Sequence, residues 1–215
     1  MNCKTKNSHS MSYKIVKDKD FLHKPTTPVS SIEEGQEIAN KLIETLDSLP
    51  HGGVGLSANQ IGISKSVSVI RARKDQPPVV LMNPVITEVS NENIIYLEGC
   101  LSLPGKSCNT MRKLKVTVNT LNHANPIPFG PDTNPPTEKS VYDDVGILET
   151  ICVQHEIDHL NGRLMIDPGV KFIKPVEKKV KHGRNDKVVV EKNGETQYIK
   201  YKKALELVDQ GWKIL

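Results

Sequence analysis

Residues 155–159 read His-Glu-Ile-Asp-His, two imidazoles four positions apart with a carboxylate directly after the first. On a helix, positions i and i+4 share one face about a turn apart, so His155 and His159 can both offer ring nitrogens to one metal ion. Glu156 sits one position round, where a carboxylate can reach a water on the metal without occupying the metal. That arrangement is what metal-assisted hydrolysis requires. The plainer alternative is a buried helix whose two histidines are satisfied by hydrogen bonds.

A hydrolytic site of this kind takes three protein ligands and leaves one position for water, and the third ligand decides the class of enzyme. Downstream, Gly162 falls where a longer His-Glu-x-x-His-x-x-Gly-x-x-His pattern needs it, but the last position is Met165, a poor ligand for a hard or borderline divalent ion. Glu177 lies in Lys174-Pro175-Val176-Glu177-Lys178-Lys179, which reads as a solvated charged stretch. Upstream, Glu98-Gly99-Cys100-Leu101-Ser102 offers a thiolate after an extended apolar run. Farther back lies Gly53-Val54-Gly55-Leu56-Ser57-Ala58-Asn59-Gln60, preceded by His51, which reads as a loop residue.

The elements that must position these groups are partly legible. Leu148, Ile151, Cys152 and Leu160 recur at helical steps over 145–160; Asp143 or Asp144 can cap the start, and Asn161-Gly162 can end it. This reads as an amphipathic helix. Ser31-Ile32-Glu33-Glu34 is a capping box opening a second helix to about residue 49, with Ile38, Ala39, Leu42, Ile43 and Leu46 on one face. Strands are expected at 67–70, 79–82, 96–97 and 114–121, with a Pro/Asn-rich insertion at 122–139. The expected fold class is α+β: mixed or antiparallel strands around a central helix that carries the metal-ligand motif.

Beyond Asp167-Pro168 the character changes. Residues 170–215 hold twelve Lys/Arg and six Asp/Glu, a surplus of six in a chain of net charge +4. Residues 187–191 and 196–200 flank Asn193-Gly194, a strong hairpin signal, and a short helix is expected over 202–210, ending at Gly211. The expected organisation is a disordered segment 1–12, a catalytic domain 13–169 and a basic hairpin-and-helix extension 170–215 packed on it.

The chain of 215 residues holds no apolar run long enough to cross a membrane. Residues 1–10 lack the apolar core of a signal peptide; a very short transit peptide is the alternative. Four cysteines, Cys3, Cys100, Cys108 and Cys152, show no framework spacing and suit a reducing compartment. Cys100 is the ligand candidate, and Cys152, three residues before His155, is expected to line a pocket.

Three segments in this order resemble the peptide deformylase family: Gly53 to Gln60 its Gly-x-Gly-Leu-Ala-Ala-x-Gln motif, Glu98 to Ser102 its Glu-Gly-Cys-Leu-Ser motif, and Gln154 to His159 its Gln-His-Glu-x-Asp-His helix. The resemblance runs from about residue 15 to 167. Ser57 stands in place of the family's Ala, a small-for-small change, and Lys106-Ser107 stands where many bacterial members carry Arg.

The resemblance implies a hydrolase of protein biosynthesis that removes the formyl group from N-formylmethionyl nascent peptides. Cys100, His155 and His159 would hold one divalent metal and Glu156 would carry the proton. The Gln60 side-chain amide and the Leu101 backbone N–H would face the oxyanion. Residues matching Val54, Gly55 and Gly99 pair with substrate backbone, Gly53 lets it lie close, and Leu148, Ile151 and Cys152 form the methionine pocket. Glu98, Asp158 and Arg112 lie beside the ligands and are expected to orient them. One thiolate and two imidazoles suit zinc, ferrous iron, cobalt or nickel, and the resemblance implies iron(II) as the working metal, with zinc a common replacement.

A cytoplasmic monomer is expected (host cytoplasm for a viral source, an organelle for a targeted one). It has no membrane partner and no specific nucleic acid, and a ribosome contact through the basic tail is plausible for an enzyme of nascent chains. A peptidase on the same helix, needing Glu177 rather than Cys100, is the runner-up; a non-catalytic metal-binding module is the third reading.

Overall fold

The computed structural model describes residues 13–50, 52–132, 141–173, 183 and 185–215. His51, Glu177, Cys3, the segment 1–12 and the last seven residues of the insertion, 133–139, lie outside them. The chain divides into two compact units, Met1–Ile173 and Lys174–Leu215.

The first unit places two long helices against three small antiparallel sheets. After a short helix α1 (Lys19–Leu22), helix α2 (Ile32–Ser48) opens where Ser31 accepts a hydrogen bond from the Glu34 N–H at 3.2 Å. The expected capping box is half present, because the Glu34 carboxylate turns back to Ser30, accepting from its N–H and hydroxyl. The apolar face of α2 buries Ile38, Ala39, Leu42 and Leu46 against Leu56, Val67, Val69 and Met82. Each fully buried Val, Leu or Met among them contributes about 1.5–3 kcal/mol.

Strands β1 (Gly55–Ser57), β2 (Val67–Ile70) and β3 (Val79–Met82) form the first sheet, with a 3-10 turn (Ala58–Ile61) directly after β1. Strands β4 (Val85–Val89), β7 (Val116–Asn119) and β8 (Ile127–Phe129) form another, in the order β4-β7-β8. Between them in sequence, β5 (Asn93–Gly99) and β6 (Ser107–Lys113) make a hairpin that pairs Ile94 with Arg112, Tyr96 with Thr110 and Glu98 with Cys108. Alternation gives that hairpin an inward face of Tyr96, Glu98, Thr110 and Arg112, while Ile95, Leu97 and Met111 are exposed.

Helix α3 (Val145–Leu160) runs through the middle, packed on β1, β2, β6, β8 and the 3-10 turn. Asp144 caps it by accepting from the Ile147 N–H at 3.1 Å. Gly162, at φ +71°, follows its end in the left-handed region, where a Cβ would collide with the His23 carbonyl oxygen. The helix is less one-sided than its apolar spacing suggests: twelve of its sixteen residues are buried, because sheet covers several sides. Cys152, Val153 and Ile157 meet Ile70, Leu81, Val116 and Phe129, while Ile147 and Ile151 meet Tyr96.

In the second unit, β9 (Lys187–Lys192) and β10 (Glu195–Lys200) pair across Asn193 and Gly194, at φ +52° and +85°. Two positive φ angles in succession match a type I′ turn, whose twist suits the flanking strands. Helix α4 (Tyr201–Val208) and a strand β11 (Lys213–Ile214), which joins β9, complete it around Val188, Val190 and Ala204.

Candidate metal centre and active site

Helix α3 supplies His155, Glu156 and His159; the residue after β5 supplies Cys100; the 3-10 turn supplies Gln60. Ligand atoms of Cys100, His155 and His159 all lie within 4.8 Å of one another, and Cys100 Sγ is 3.2 Å from His159 Nε2. Donors held at ~2.0–2.3 Å around a tetrahedral ion stand roughly 3.3–3.6 Å apart, so one thiolate and two imidazoles here fit a single divalent ion.

The electrostatics agree with that use. His155 Nδ1 lies 2.7 Å from Glu98 Oε2, so the ring donates there and Nε2 is the nitrogen left for an ion. Burial, with His155 as a charged neighbour, pushes His159 well below the ordinary histidine range and keeps it neutral. Burial would raise the Glu98 carboxyl, but hydrogen bonds from His155 and Arg112, together with the guanidinium charge, hold it at about 2. Arg112 Nε donates to Glu98 Oε1 at 2.6 Å and Nη2 to Oε2 at 3.0 Å, while Nη1 donates to Asp158 Oδ2. This bidentate fork fixes the carboxylate that fixes the histidine. Asp158, also paired with Arg163 at 3.6 Å, closes the row.

Glu156 is 3% exposed. Burial raises its carboxyl above the usual range, and the charge of His155 and the Ser57 hydroxyl oppose that rise. Gly55 makes room for it, since a Cβ there would run into Cys152 Sγ and lie 2.7 Å from Glu156 Oε1. Gln60 Oε1 accepts from the Ser57 N–H at 2.9 Å, which turns Nε2 towards Ser102 Oγ at 3.2 Å and Cys100 Sγ at 3.7 Å.

A cavity of about 600 Å³ opens beside these groups. Its walls include Gly53, Val54, Gly55, Gln60, Glu98, Gly99, Cys100, Leu101, Leu148, Ile151, Cys152, His155 and Glu156. His159, Arg112 and Asp158 are not among its lining residues. The Val54 carbonyl is already engaged, accepting from the Arg71 N–H at 2.6 Å and facing Cys152 Sγ at 3.2 Å.

Sequence reasoning passed over three residues of this site. Ser57, taken as a mere change of size, bonds Glu156; Ser102 holds Gln60; and Asn59 Nδ2 donates to the His159 carbonyl at 2.6 Å. The one available signal was three polar side chains clustered beside Gln60 and Cys100 in otherwise apolar segments.

A half-buried cysteine and two buried histidines clustered with a buried glutamate beside them, at the wall of a cavity of about 600 Å³, define a metal-dependent hydrolase of the His-Glu-x-x-His type. The sequence model of the polypeptide deformylase family matches residues 12–176. The peptide deformylase of Aquifex aeolicus is 38% identical over 159 residues, covering 71% of this chain and 84% of that protein. That of Rhizobium meliloti is 33% identical over 157 residues, covering 71% and 82%. Among solved structures, the Thermotoga maritima peptide deformylase superposes with a TM-score of 0.59 at 30% identity, covering 73% of this chain and 97% of that one. The deformylase of the Vibrio parahaemolyticus bacteriophage VP16T, solved with actinonin, gives 0.56 at 31%, covering 70% and 98%. This chain belongs to the polypeptide deformylase family, hydrolases that remove the N-formyl group from newly made peptides.

Proposed function

We propose that this deformylase acts through one divalent ion held by Cys100, His155 and His159, with Glu156 as the proton carrier. The observation that carries the reading is the clustering of those three donors beside a buried Glu156 at the cavity wall. When bound, the ion supplies Lewis acidity to water and to the formyl carbonyl. Glu156 takes the proton of the attacking water at Oε1, the oxygen beside Gly55, and returns it to the departing amine. Gln60 Nε2 and the Leu101 N–H donate to the developing oxyanion, and loss of one such donor costs on the order of 3 kcal/mol in the barrier. Glu98, with Arg112 and Asp158 behind it, holds the His155 ring.

The substrate backbone lies along Gly53, Val54, Gly55 and Gly99 as an added strand does. Because the Val54 carbonyl is engaged, its N–H is the group left for the peptide at that residue. Leu148, Ile151 and Cys152 receive the methionine side chain. Residues 13–169 form the catalytic domain and 170–215 an extension whose basic surplus suits a ribosome contact. Iron(II) is the proposed working metal, with zinc, nickel or cobalt as replacements, in a cytoplasmic monomer. Among the described residues no helix is long and apolar enough to cross a membrane.

The test is formate release from N-formyl-Met-Ala-Ser by anaerobically purified protein, before and after chelator, with metal content measured on the same sample. Chelator-sensitive release with one ion per chain is expected. Glu156→Ala should keep the ion and lose turnover by a factor of about 10²–10⁴, and Cys100→Ala should lose the ion. Turnover retained in Glu156→Ala rejects the proton carrier.

A further inference from the structure

Glu156 has two carboxylate oxygens in a nearly closed setting, and the direction of each is set by its neighbours. Ser57, the last residue of β1, is wholly buried, with its Oγ 2.6 Å from Glu156 Oε2 and 3.0 Å from the Glu156 carbonyl oxygen. Oε1 lies on the other side, next to Gly55 on the cavity wall. The Ser57 main-chain N–H is the donor that orients Gln60, at 2.9 Å from its Oε1.

We infer that Ser57 is a positioning residue for this reaction: its hydroxyl clamps Oε2 so that Oε1 is the oxygen delivered to the cavity. The inference rests on Glu156 being the proton carrier. A hydroxyl suits the task because it has one proton to donate and lone pairs to accept with. Facing a carboxylate, Ser57 donates to Oε2. When Oε1 has taken the proton, Oε2 is the carbonyl oxygen of the carboxyl and still accepts from the Ser57 hydroxyl, with the Glu156 main-chain carbonyl a second acceptor 3.0 Å away. Either way every buried polar atom of the pair keeps a partner, and no heavy atom has to move. An apolar residue at 57 leaves Oε2 buried without that partner and the carboxylate free to rotate about its last torsion.

The experiment pairs Ser57→Ala with Ser57→Thr, which keeps the hydroxyl, on protein loaded with metal and assayed for formate release. The clamp predicts that Ser57→Ala lowers kcat about tenfold with KM and metal content unchanged, and that Ser57→Thr recovers most of the loss. In case the extra methyl of threonine unsettles the fold, a second readout uses metal-free protein. There the destabilisation by Ser57→Ala, measured by denaturant unfolding, should shrink in a Glu156→Ala background, because the bonded partner is already gone. An unchanged kcat in Ser57→Ala, or strictly additive destabilisation in the double variant, overturns the inference. So does a loss of kcat that merely tracks a loss of metal. Failure of the underlying reading looks different: Glu156→Ala itself would then turn over.

Discussion

Replacing Arg112 by leucine tests how much of the site is held by a single guanidinium. Arg112 is 7% exposed and donates to both oxygens of Glu98 and to Asp158. The Glu98 carboxyl stands at about 2 against an ordinary 4.5, a net effect in which the His155 and Arg112 bonds outweigh burial. That drop of roughly 2.5 pH units corresponds to about 3 kcal/mol, shared between the two partners. Losing Arg112 forfeits its share and also leaves Asp158 only its 3.6 Å pairing with Arg163. Since breaking a buried pair on one side typically costs about 3–5 kcal/mol, we expect a destabilisation of about 3 kcal/mol. At ~2–4 °C per kcal/mol for a protein of this size, the melting temperature of the metal-free protein should fall by roughly 6–12 °C. A freed Glu98 also holds His155 less firmly, so affinity for the ion, measured by competition with a chromogenic chelator, should weaken about 10- to 100-fold. Glu98→Gln in the same background should restore part of the melting temperature by removing the stranded charge. An Arg112→Leu variant that melts within a degree or two of the parent and binds the ion equally well would refute the argument.

Further tests follow from the same geometry. Gly55→Ala should abolish most turnover and also cost about 1–3 kcal/mol of stability, as its methyl overlaps Cys152 Sγ as well as the Glu156 carboxylate. Gly146→Ala should lose about 1–3 kcal/mol of stability with little direct effect on the site, because its Cβ would collide with the Gly130 carbonyl oxygen. Without an ion, burial disfavours a charged His155, yet Cys100 and Glu98 raise its pKa well above the ordinary value. Zinc binding near pH 7 should therefore release protons, seen as buffer-dependent enthalpy in calorimetry. Glu98 is depressed in the folded state, so its contribution to stability is whole above about pH 4.5 and fades as pH falls towards about 2. Acid titration of the metal-free protein should show that loss, and Glu98→Gln should lack it.

Helix α3 and the ligand motif on it were legible because a long apolar recurrence, a capping Asp144 and a terminating Gly162 agree with one another. Its all-round burial was not, since the sheets that cover it come from distant sequence. Strand β6 was missed for a physical reason. Its inward residues, Thr110 and Arg112, are polar and its outward Met111 is apolar, the inverse of the pattern that marks a strand. Short strands such as β1 and β8 carry too few residues to show any period. At the site, residue type and order gave the ligand candidates, but the partnership of Ser57 with Glu156 spans 99 positions and has no local trace.

The inverted hairpin bears on how the chain acquires its activity. Glu98 and Arg112 face inward on strands β5 and β6, and the groups that complete their pairing, His155 and Asp158, arrive more than forty residues later. During synthesis the hairpin therefore waits, with charges on the side it must bury and Ile95, Leu97 and Met111 on the side it shows to water. No half-made chain offers an ion the three proposed ligands, because Cys100 emerges long before His155 and His159. Metal capture is thus tied to the late, non-local closure of the whole unit, a step whose entropy cost makes it slow relative to local helix formation. An enzyme that trims other proteins at their birth becomes competent only near the end of its own.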